Sequence, residues 1–352
     1  MKNIFRLLSA ILIFSLSSCH TPLEVTLEMS SQEIIKLATK GNKRAIITVG
    51  IVQNEEMSFT VYGENGKVLS NREYTYEIAS ITKTFTGQLF AKAISEGKVS
   101  LDDTIDRFLD LPSKKYYPTI RRLLTHTSGY KYAYYHGSGT ITEPTANFET
   151  FGGGVTKKMF LNTIGTINLE NRDYPFVYSN FGISVAGLVL EKIYNEDFTL
   201  LMNRYCSKEL GLHKTKVNDG SVDVSNFWAW SKGNPYIPCG ALISTITDMM
   251  KYAQMQINGL PSYVSIAHTK LTQVDPPHEI SDNDFDIIND AMGMGWMIDS
   301  AYNIIHHGGN TSYTNSFLGF DKENRVAVVV LVNMPGAQSR NIGSAIFREL
   351  RR

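Results

Sequence analysis

Ser80 and Lys83 stand three residues apart in the stretch 77–85, and together they could perform nucleophilic chemistry. A serine hydroxyl is a poor nucleophile until a neighbouring group removes its proton. A lysine can remove it if burial or nearby cations lower the pKa of its ammonium group. Taken alone, Ser-x-x-Lys also occurs by chance, as a helix-capping serine followed by a solvated lysine.

The residues after Ser80 predict a helix that would hold the lysine over the serine. Apolar side chains recur there at spacings of three and four, before a glycine typical of helix ends: Phe85, Leu89, Phe90, Ala93 and Gly97. Residues i and i+3 of a helix share a face, so Lys83 would reach the Ser80 hydroxyl. With Ser80 in the first turn, the free N–H groups and positive dipole end would face the reacting carbonyl.

A phenol and an amide, Tyr178 and Asn180, precede an apolar helical segment at about 183–193. Their spacing puts both side chains on the same side of a turn at the helix start. A tyrosine, with a pKa near ~10, is a base only where cations stabilise its phenolate, and a lysine beside it would supply one. Asn180 could orient that lysine or bind a substrate amide.

Two glycines follow two histidines in His306-His307-Gly308-Gly309, on or beside a predicted strand. The glycines would let another backbone approach closely, and a strand edge with free N–H groups beside Ser80 would complete an oxyanion pocket. Adjacent histidines could instead bind a metal, but the sequence offers no carboxylate or cysteine cluster to join them. The sequence therefore predicts neither a metal nor a cofactor.

A further histidine, His126, lies in the segment 123–129, Leu-Leu-Thr-His-Thr-Ser-Gly. It could act as a base or order a loop by hydrogen bonding. The second interpretation is favoured, because a serine–lysine pair does not need a histidine.

Strand patterns at both ends of the chain and helical patterns between them predict how these residues are positioned. Strands are predicted at 44–52, 57–62, 295–299, 303–308, 315–320 and 325–332, and helices at about 183–193, 200–212, 243–257 and 341–350. Ser30 and Glu33 form a predicted capping box for a first helix, which Gly41 would stop. The pattern indicates an α/β fold of the α+β type: one antiparallel sheet built from both termini, flanked by helices, with a mostly helical insertion at about 100–260.

The charge and cysteine content exclude some classes of function. The 352 residues include 34 basic and 34 acidic ones, so the formal net charge is zero. Without a basic stripe along the sequence, nucleic acid is not an expected partner. Of the three cysteines, Cys206 and Cys239 could form a disulfide or remain two separate buried thiols.

Residues 1–19 have the pattern of an export signal. Lys2 and Arg6 precede a short apolar run at 7–16, which is too short to span a membrane. The run ends in Leu-Ser-Ser-Cys19, which resembles a bacterial lipobox and implies cleavage before Cys19 and its acylation. An ordinary secretory signal with an incidental cysteine is the alternative. The expected organisation is a signal peptide at 1–18, a tether and first helix at 19–41, and one domain at 42–352.

The three motifs, in their order along the chain, resemble those of the serine β-lactamase and penicillin-binding-protein superfamily. The Tyr-Ser-Asn form of the second motif and the segment 123–129 are similar to the class C β-lactamase and DD-peptidase branch. The resemblance covers roughly residues 40–352 and implies the β-lactamase/transpeptidase-like fold.

That resemblance implies a role for each motif residue. Ser80 would be the acylated nucleophile, with Lys83 and Tyr178 sharing the proton transfers. Asn180 would bind substrate and Lys83, and His307 would take the place of the third-motif lysine. Substrate would also meet Gly308, Gly309 and Asn310, and the N–H groups of Ser80 and Asn310 would form the oxyanion hole.

We therefore expect a serine hydrolase anchored to a membrane through a lipid on Cys19, in a bacterial cell envelope and facing the periplasm or exterior. Its substrate would be a D-amino-acid peptide, in the manner of a DD-carboxypeptidase, or an ester. A class C-type β-lactamase is an alternative, as is a non-catalytic lipoprotein that binds cell-wall peptides. Histidine in place of a charged lysine at position 307 weakens the expected recognition of a substrate carboxylate.

Overall fold

An eight-stranded antiparallel sheet organises the fold in the computed structural model, which describes residues 25–26, 28–135, 139–141, 154–221, 226–278, 287–336 and 338–351. The predicted signal peptide at 1–18 and the predicted lipid attachment at Cys19 lie outside the described residues. No described helix has both the length and the apolarity that crossing a membrane requires.

The strands and helices have the following bounds. The strands are β1 Ile47–Gln53, β2 Glu56–Tyr62, β3 Thr75–Glu77, β4 Ala133–Tyr135, β5 Gly139–Ile141, β6 Lys216–Val217, β7 Leu242–Thr245, β8 Thr272–His278, β9 Asn289–Met292, β10 Met297–Asp299, β11 Ile304–Asn310, β12 Asn315–Asp321 and β13 Val326–Val332. The helices are α1 Ser31–Ala38, α2 Thr82–Ser95, α3 Ile120–Leu124, α4 Lys157–Thr166, α5 Asn180–Tyr194, α6 Phe198–Arg204, α7 Ile237–Gly240, α8 Ile246–Asn258, α9 Val264–Ala267 and α10 Gln338–Leu350.

The order of the main sheet, β2-β1-β13-β12-β11-β10-β9-β8, joins the two ends of the chain. All seven residues of β13 are buried, and this strand lies between β1 and β12. A continuous apolar run suits a strand that is covered on both faces. The predicted fold class and the assembly of one sheet from both termini are therefore confirmed.

Helices cover both faces of the sheet. Alternate residues of β13 point to opposite faces. Val328 and Val330 pack in the cluster formed with α1 and α10, whereas Val329 and Leu331 pack in the main core, which includes α8 and α2. The first helix begins with the predicted capping box between Ser30 and Glu33, and it rests against α10.

The predicted helix at 243–257 begins three residues late. Leu242–Thr245 forms β7, which pairs with β3 and β6 in a second, three-stranded sheet, and α8 starts at Ile246. The helical spacing of the apolar residues is real, but pairing with β3 decides the conformation of the first three residues of the predicted helix. This pairing matters for the site because β3 leads directly into Ser80. The predicted helix at 200–212 likewise ends at Arg204 and continues as a π-helical turn over Tyr205–Glu209.

Candidate active site

Ser80 lies in a tight turn between a strand and a helix. β3 ends at Glu77, a 3-10 turn spans Ala79–Ile81, and α2 begins at Thr82. Ala79 has a φ of +46°, in the left-handed region that costs a residue with a Cβ roughly 1–2 kcal/mol. The preceding residue is held by β7, since the Ile78 N–H donates to Leu242 O at 3.0 Å. The sheet therefore imposes a strained turn that presents the partly exposed serine.

Lys83 is fully buried beneath Ser80, at an exposure of 0%. Its Nζ donates to Ser80 Oγ at 2.8 Å and to the backbone carbonyl of Cys239 at 2.7 Å. Burial lowers the pKa of Lys83 to about 8. An amine with this pKa is available in its neutral form near neutral pH, so it can accept the proton of the hydroxyl it contacts.

Tyr178 approaches Ser80 from the other side. The Lys83 Nζ lies 4.8 Å from the centre of its ring, and the neighbouring Ser80 hydroxyl partly offsets the effect of burial on the pKa of Tyr178. Burial raises the pKa of Tyr178 well above its usual range. The phenol therefore stays protonated in the free protein, and it is Lys83 that can act as the base toward Ser80.

His126 fixes the backbone on both sides of Tyr178. Its carbonyl accepts from the Val177 N–H and its Nδ1 accepts from the Ser179 N–H, both at 3.0 Å. The imidazole also lies 4.7 Å from the Tyr178 ring, centre to centre. This geometry agrees with the interpretation that His126 orders a loop, and the loop it orders carries the phenol.

Asn180 is the first residue of α5 and is 4% exposed. The helix starts there because the Ser179 hydroxyl caps it by accepting from the Gly182 N–H at 2.9 Å. Among the described residues, no hydrogen bond joins Asn180 to Lys83. The second bond of that amine goes to the Cys239 carbonyl instead, a backbone acceptor to which the sequence gives no clue.

The third motif, His307-Gly308-Gly309, lies in the half of β11 that has a neighbouring strand on one side only. β10 pairs with residues 304–306 of this strand, whereas β12 pairs with residues 305–310. The Thr311 N–H donates to Thr314 O across the hairpin at 2.9 Å. Since successive N–H groups of a strand point to opposite sides, the Asn310 N–H faces away from β12, toward the free edge.

Gly309 brings β11 against the turn at Ala79–Ile81, which carries Ser80 and is called the nucleophile turn for the role predicted for that serine. A Cβ built on Gly309 would lie 2.3 Å from Ile78 O and 3.0 Å from the Ala79 Cβ. Only a glycine allows β11 to pack this closely against the segment that leads into Ser80. The turn that carries Ser80 therefore packs directly against β11, the strand whose last residue is Asn310.

His307 is a neutral imidazole at this edge. It is 1% exposed, and its ring centre lies 6.2 Å from that of Tyr178. Burial, followed by the nearby Lys83, lowers the pKa of His307 to about 3. Its Nδ1 lies 2.6 Å from Gly308 O, so Nδ1 carries the proton and Nε2 offers a lone pair. Within the described residues, this Nε2 has no hydrogen-bond partner.

His306 does not join His307 in a common site. Adjacent strand residues point to opposite faces, and the His306 Nε2 lies 3.0 Å from Ile288 O instead. The part of the chain that the structure describes contains no cluster of three or more His, Cys, Asp or Glu side chains that could hold a metal ion. Cys206 and Cys239, which could have formed a disulfide, are two separate buried thiols.

One charged residue of the site was missed by the sequence analysis. Glu77, three residues before Ser80, is 2% exposed, and burial raises its pKa to about 7. Its carboxylate accepts from the backbone N–H of Trp228 and from the Thr311 hydroxyl, each at 2.9 Å. A charged residue between the apolar Tyr76 and Ile78, directly before the Ser80 motif, is the signal that could have identified it.

The β-lactamase family model matches residues 34–346 of this chain. Among curated proteins, the chain is 22% identical over 308 residues to "Protein flp" of Staphylococcus aureus (strain N315), covering 77% of this chain and 58% of that protein. It is 26% identical over 224 residues to "Beta-lactamase" of Providencia stuartii, covering 62% of this chain and 54% of that one. The chain thus spans little more than half the length of these relatives.

Solved structures share the fold. A β-lactamase/D-alanine carboxypeptidase from Yersinia pestis has a TM-score of 0.71 at 18% identity, covering 92% of this chain and 99% of its own. A D-stereospecific amidohydrolase from a Streptomyces species has a TM-score of 0.64 at 20% identity, covering 88% and 97%. A class C β-lactamase mutant has a TM-score of 0.63 at 14% identity, covering 86% and 92%.

Proposed function

Because this chain belongs to the β-lactamase family, within the superfamily of serine β-lactamases and penicillin-binding proteins, we propose that it hydrolyses D-amino-acid peptides or esters through an acyl-enzyme on Ser80. The observation that carries the proposal is the position of the Ser80 hydroxyl. It accepts from the Lys83 amine at 2.8 Å, and that amine lies 4.8 Å from the centre of the Tyr178 ring. A serine hydroxyl that contacts a buried amine, with a phenol beside that amine as a proton donor, is suited to acyl transfer.

Acylation starts from the neutral form of Lys83. With a pKa of about 8, about one amine in ten is neutral at pH 7. Lys83 takes the hydroxyl proton as Ser80 Oγ bonds to the carbonyl carbon, and the carbonyl electrons move onto its oxygen. The N–H groups of Ser80 and Asn310 bind that oxyanion. When the tetrahedral intermediate collapses, Tyr178 gives a proton to the departing alcohol or amine and recovers one from Lys83.

Deacylation repeats these steps with water as the nucleophile. As a water attacks the carbonyl carbon of the acyl-enzyme ester, it loses its proton to Lys83, either directly or through the Tyr178 phenol. The C–O bond to Ser80 breaks and the serine oxygen regains a proton, which releases the acid product. Ser80, Lys83, Tyr178 and water account for every bond and proton in both half-reactions.

The neutral His307 supports a preference for substrates without a carboxylate next to the scissile bond. A carboxylate there would meet an imidazole rather than a lysine cation, and would gain less electrostatic attraction. An ester, an amide or an internal peptide bond does not need that charge. The names of two structural neighbours, a D-alanine carboxypeptidase and a D-stereospecific amidohydrolase, support D-configured acyl groups as the substrate class.

The nucleophile can be tested by intact-mass spectrometry of the chain after a fluorophosphonate and a fluorescent penicillin are added. We expect an adduct on Ser80, its loss in Ser80→Ala, and a fall of at least ~1,000-fold in ester turnover. Ser95→Ala, at the far end of the same helix α2, is the matched control and should be labelled normally. An adduct that persists in Ser80→Ala would remove Ser80 from the role.

The same assay distinguishes the substrate classes. A D-alanyl-D-alanine peptide and its methyl ester form a matched pair, and the ester should react faster. Rapid turnover of penicillin would identify a β-lactamase, whereas a stable adduct would identify a penicillin-binding hydrolase. Binding of cell-wall peptides with neither acylation nor turnover would favour a non-catalytic binding protein.

Attachment to a membrane through Cys19 is a separate proposal, supported by the lipobox-like Leu-Ser-Ser-Cys. It would place the hydrolase in a bacterial cell envelope, facing the periplasm or exterior. Metabolic labelling with an alkyne fatty acid should mark the chain and not its Cys19→Ala variant. Equal labelling of both would exclude this anchor.

A further inference from the structure

A buried carboxylate connects three segments of chain around the candidate oxyanion hole. Glu77 ends β3, three residues before Ser80. Its Oε2 accepts from the Thr311 hydroxyl, directly after Asn310, and its Oε1 accepts from the Trp228 N–H, both at 2.9 Å. The Glu77 side chain thus bonds the segment that leads into Ser80 to the segment that follows Asn310, and both to a third segment at Trp228.

Backbone carbonyls beside Glu77 complete the same connection. Glu77 O accepts from the Thr314 hydroxyl at 3.1 Å, and Ile78 O accepts from the Ser316 hydroxyl at 2.9 Å. The tip of the β11–β12 hairpin is therefore bonded to residues 77 and 78, and Ala79 and Ser80 follow at once. The separation of the two oxyanion donors depends on these bonds.

The Glu77 side chain has to accept hydrogen bonds at both oxygens. The Thr311 Oγ1 already accepts from the N–H groups of Tyr313 at 3.1 Å and Thr314 at 2.9 Å, which occupies its two lone pairs. Its own proton goes to Glu77 Oε2, and the Trp228 N–H can only donate. A carboxylate satisfies both donors, whereas a carboxamide of the same shape satisfies only one and presents an N–H to the other.

We propose that Glu77 is a positioning residue whose carboxylate sets the spacing between the Ser80 and Asn310 N–H groups. This inference rests on the proposed function, since it concerns the same acyl transfer. An oxyanion hole binds charge that develops in the transition state, so a change in its spacing slows the chemical step more than it weakens substrate binding.

The test compares Glu77→Gln, Thr311→Val and the double variant with the unaltered chain in ester hydrolysis and in the rate of fluorophosphonate labelling. We expect Glu77→Gln to lower kcat by ~10- to 100-fold with a change in KM below ~3-fold. Thr311→Val should also lower kcat, and the kcat of the double variant should be no lower than that of the slower single variant. Glu73→Gln, a carboxylate on the same chain segment paired with Lys214, is the matched control.

The outcomes separate this inference from the proposed function. If the unaltered chain is neither labelled nor active, both are overturned. If it is labelled but Glu77→Gln reacts at the same rate, or if KM rises as much as kcat falls, the positioning role is overturned and the acyl-enzyme stands. Melting temperatures of the variants within ~3 °C of the parent at pH 8 would show that the lost rate does not come from unfolding. If Glu77→Gln does not fold, the kcat and KM of Thr311→Val test the positioning role, since this substitution removes only the hydroxyl that donates to Glu77.

Discussion

At the scale of single residues, the proposed chemistry depends on the protonation state of Lys83. The fold buries this amine completely, between a hydroxyl and a carbonyl. Burial lowers its pKa from its ordinary value near 10.5 to about 8. The folded state therefore binds the lysine proton less tightly than the unfolded chain does. By linkage, this destabilises the fold by about 3 kcal/mol at pH 7, and the cost is relieved as the pH rises from about 8 to about 10.5.

We predict that the rate of acylation of Ser80 rises with pH and levels off above about pH 8. The neutral amine is the base, and its fraction falls about tenfold for each pH unit below its pKa. Fluorophosphonate labelling between pH 6 and 10, followed by intact mass, measures this profile.

The Lys83→Met variant is the control for that profile. It should lose the pH-dependent labelling and yet be at least as stable as the parent at pH 7 by thermal denaturation, because a buried amine is replaced by an apolar side chain of similar length. A flat profile in the parent, or normal labelling of Lys83→Met, would contradict the role of this amine.

At the scale of elements, the site depends on how closely the β11 strand packs against the turn before α2. Gly309 faces Ile78 O, where an added Cβ would lie only 2.3 Å away, and the positive φ of Ala79 bends the chain toward the strand. These contacts place the free edge of β11 beside the nucleophile. The separation of strand and turn is therefore fixed by backbone atoms, which leaves little room for substitution.

We predict that Gly309→Ala separates β11 from the nucleophile turn. The new methyl group would also lie 2.5 Å from the Ser316 hydroxyl oxygen, so backbone must shift, at a cost of about 1–3 kcal/mol in the free energy of unfolding. Chemical denaturation measures the loss. Gly308→Ala is the matched comparison on the same strand, because its added Cβ has only the Ser316 carbonyl oxygen nearby, at 3.6 Å. Equal losses in the two variants would show that close packing at Gly309 does not matter.

At the scale of the whole molecule, the two ends of the chain stabilise each other. β1 and β13 are neighbours in the sheet, and the Ser31 N–H at the start of α1 donates to Glu349 near the end of α10, at 2.6 Å. The face that α1 and α10 cover is apolar and lies on the other side of the sheet from α8 and α2. The α1 and α10 face therefore contributes to stability from the side of the sheet opposite to α2, the helix that carries Lys83.

We predict that Phe347→Ala lowers the stability of the chain without lowering its rate of ester turnover. Phe347, on α10, is 3% exposed and belongs to the same buried cluster as Phe317 and Val328, so truncation should cost about 3–5 kcal/mol of unfolding free energy. Leu350→Ala, on the same helix but 37% exposed, should change stability little. Denaturation curves and ester turnover below the melting temperature give both quantities. A large fall in kcat in the folded Phe347→Ala protein would contradict this separation.

The sequence by itself determined what local spacing controls. The i, i+3 relation of Ser80 and Lys83, the capping box at Ser30 and the apolar run of β13 each follow from residues that are close together in the chain. The order of the three motifs also indicated the fold, because motifs of one superfamily share one architecture.

Only the tertiary structure decided the features that depend on contacts between distant segments. Residues 242–245 are a strand because β3 lies beside them, and the Cys239 carbonyl meets Lys83 because two helices cross there. The lowered pKa of Lys83 and the acceptor role of Glu77 likewise come from burial and from partners more than 150 residues away in the chain. Spacing along the sequence reports neighbours within an element, whereas desolvation and backbone acceptors are set by the packing of elements against one another.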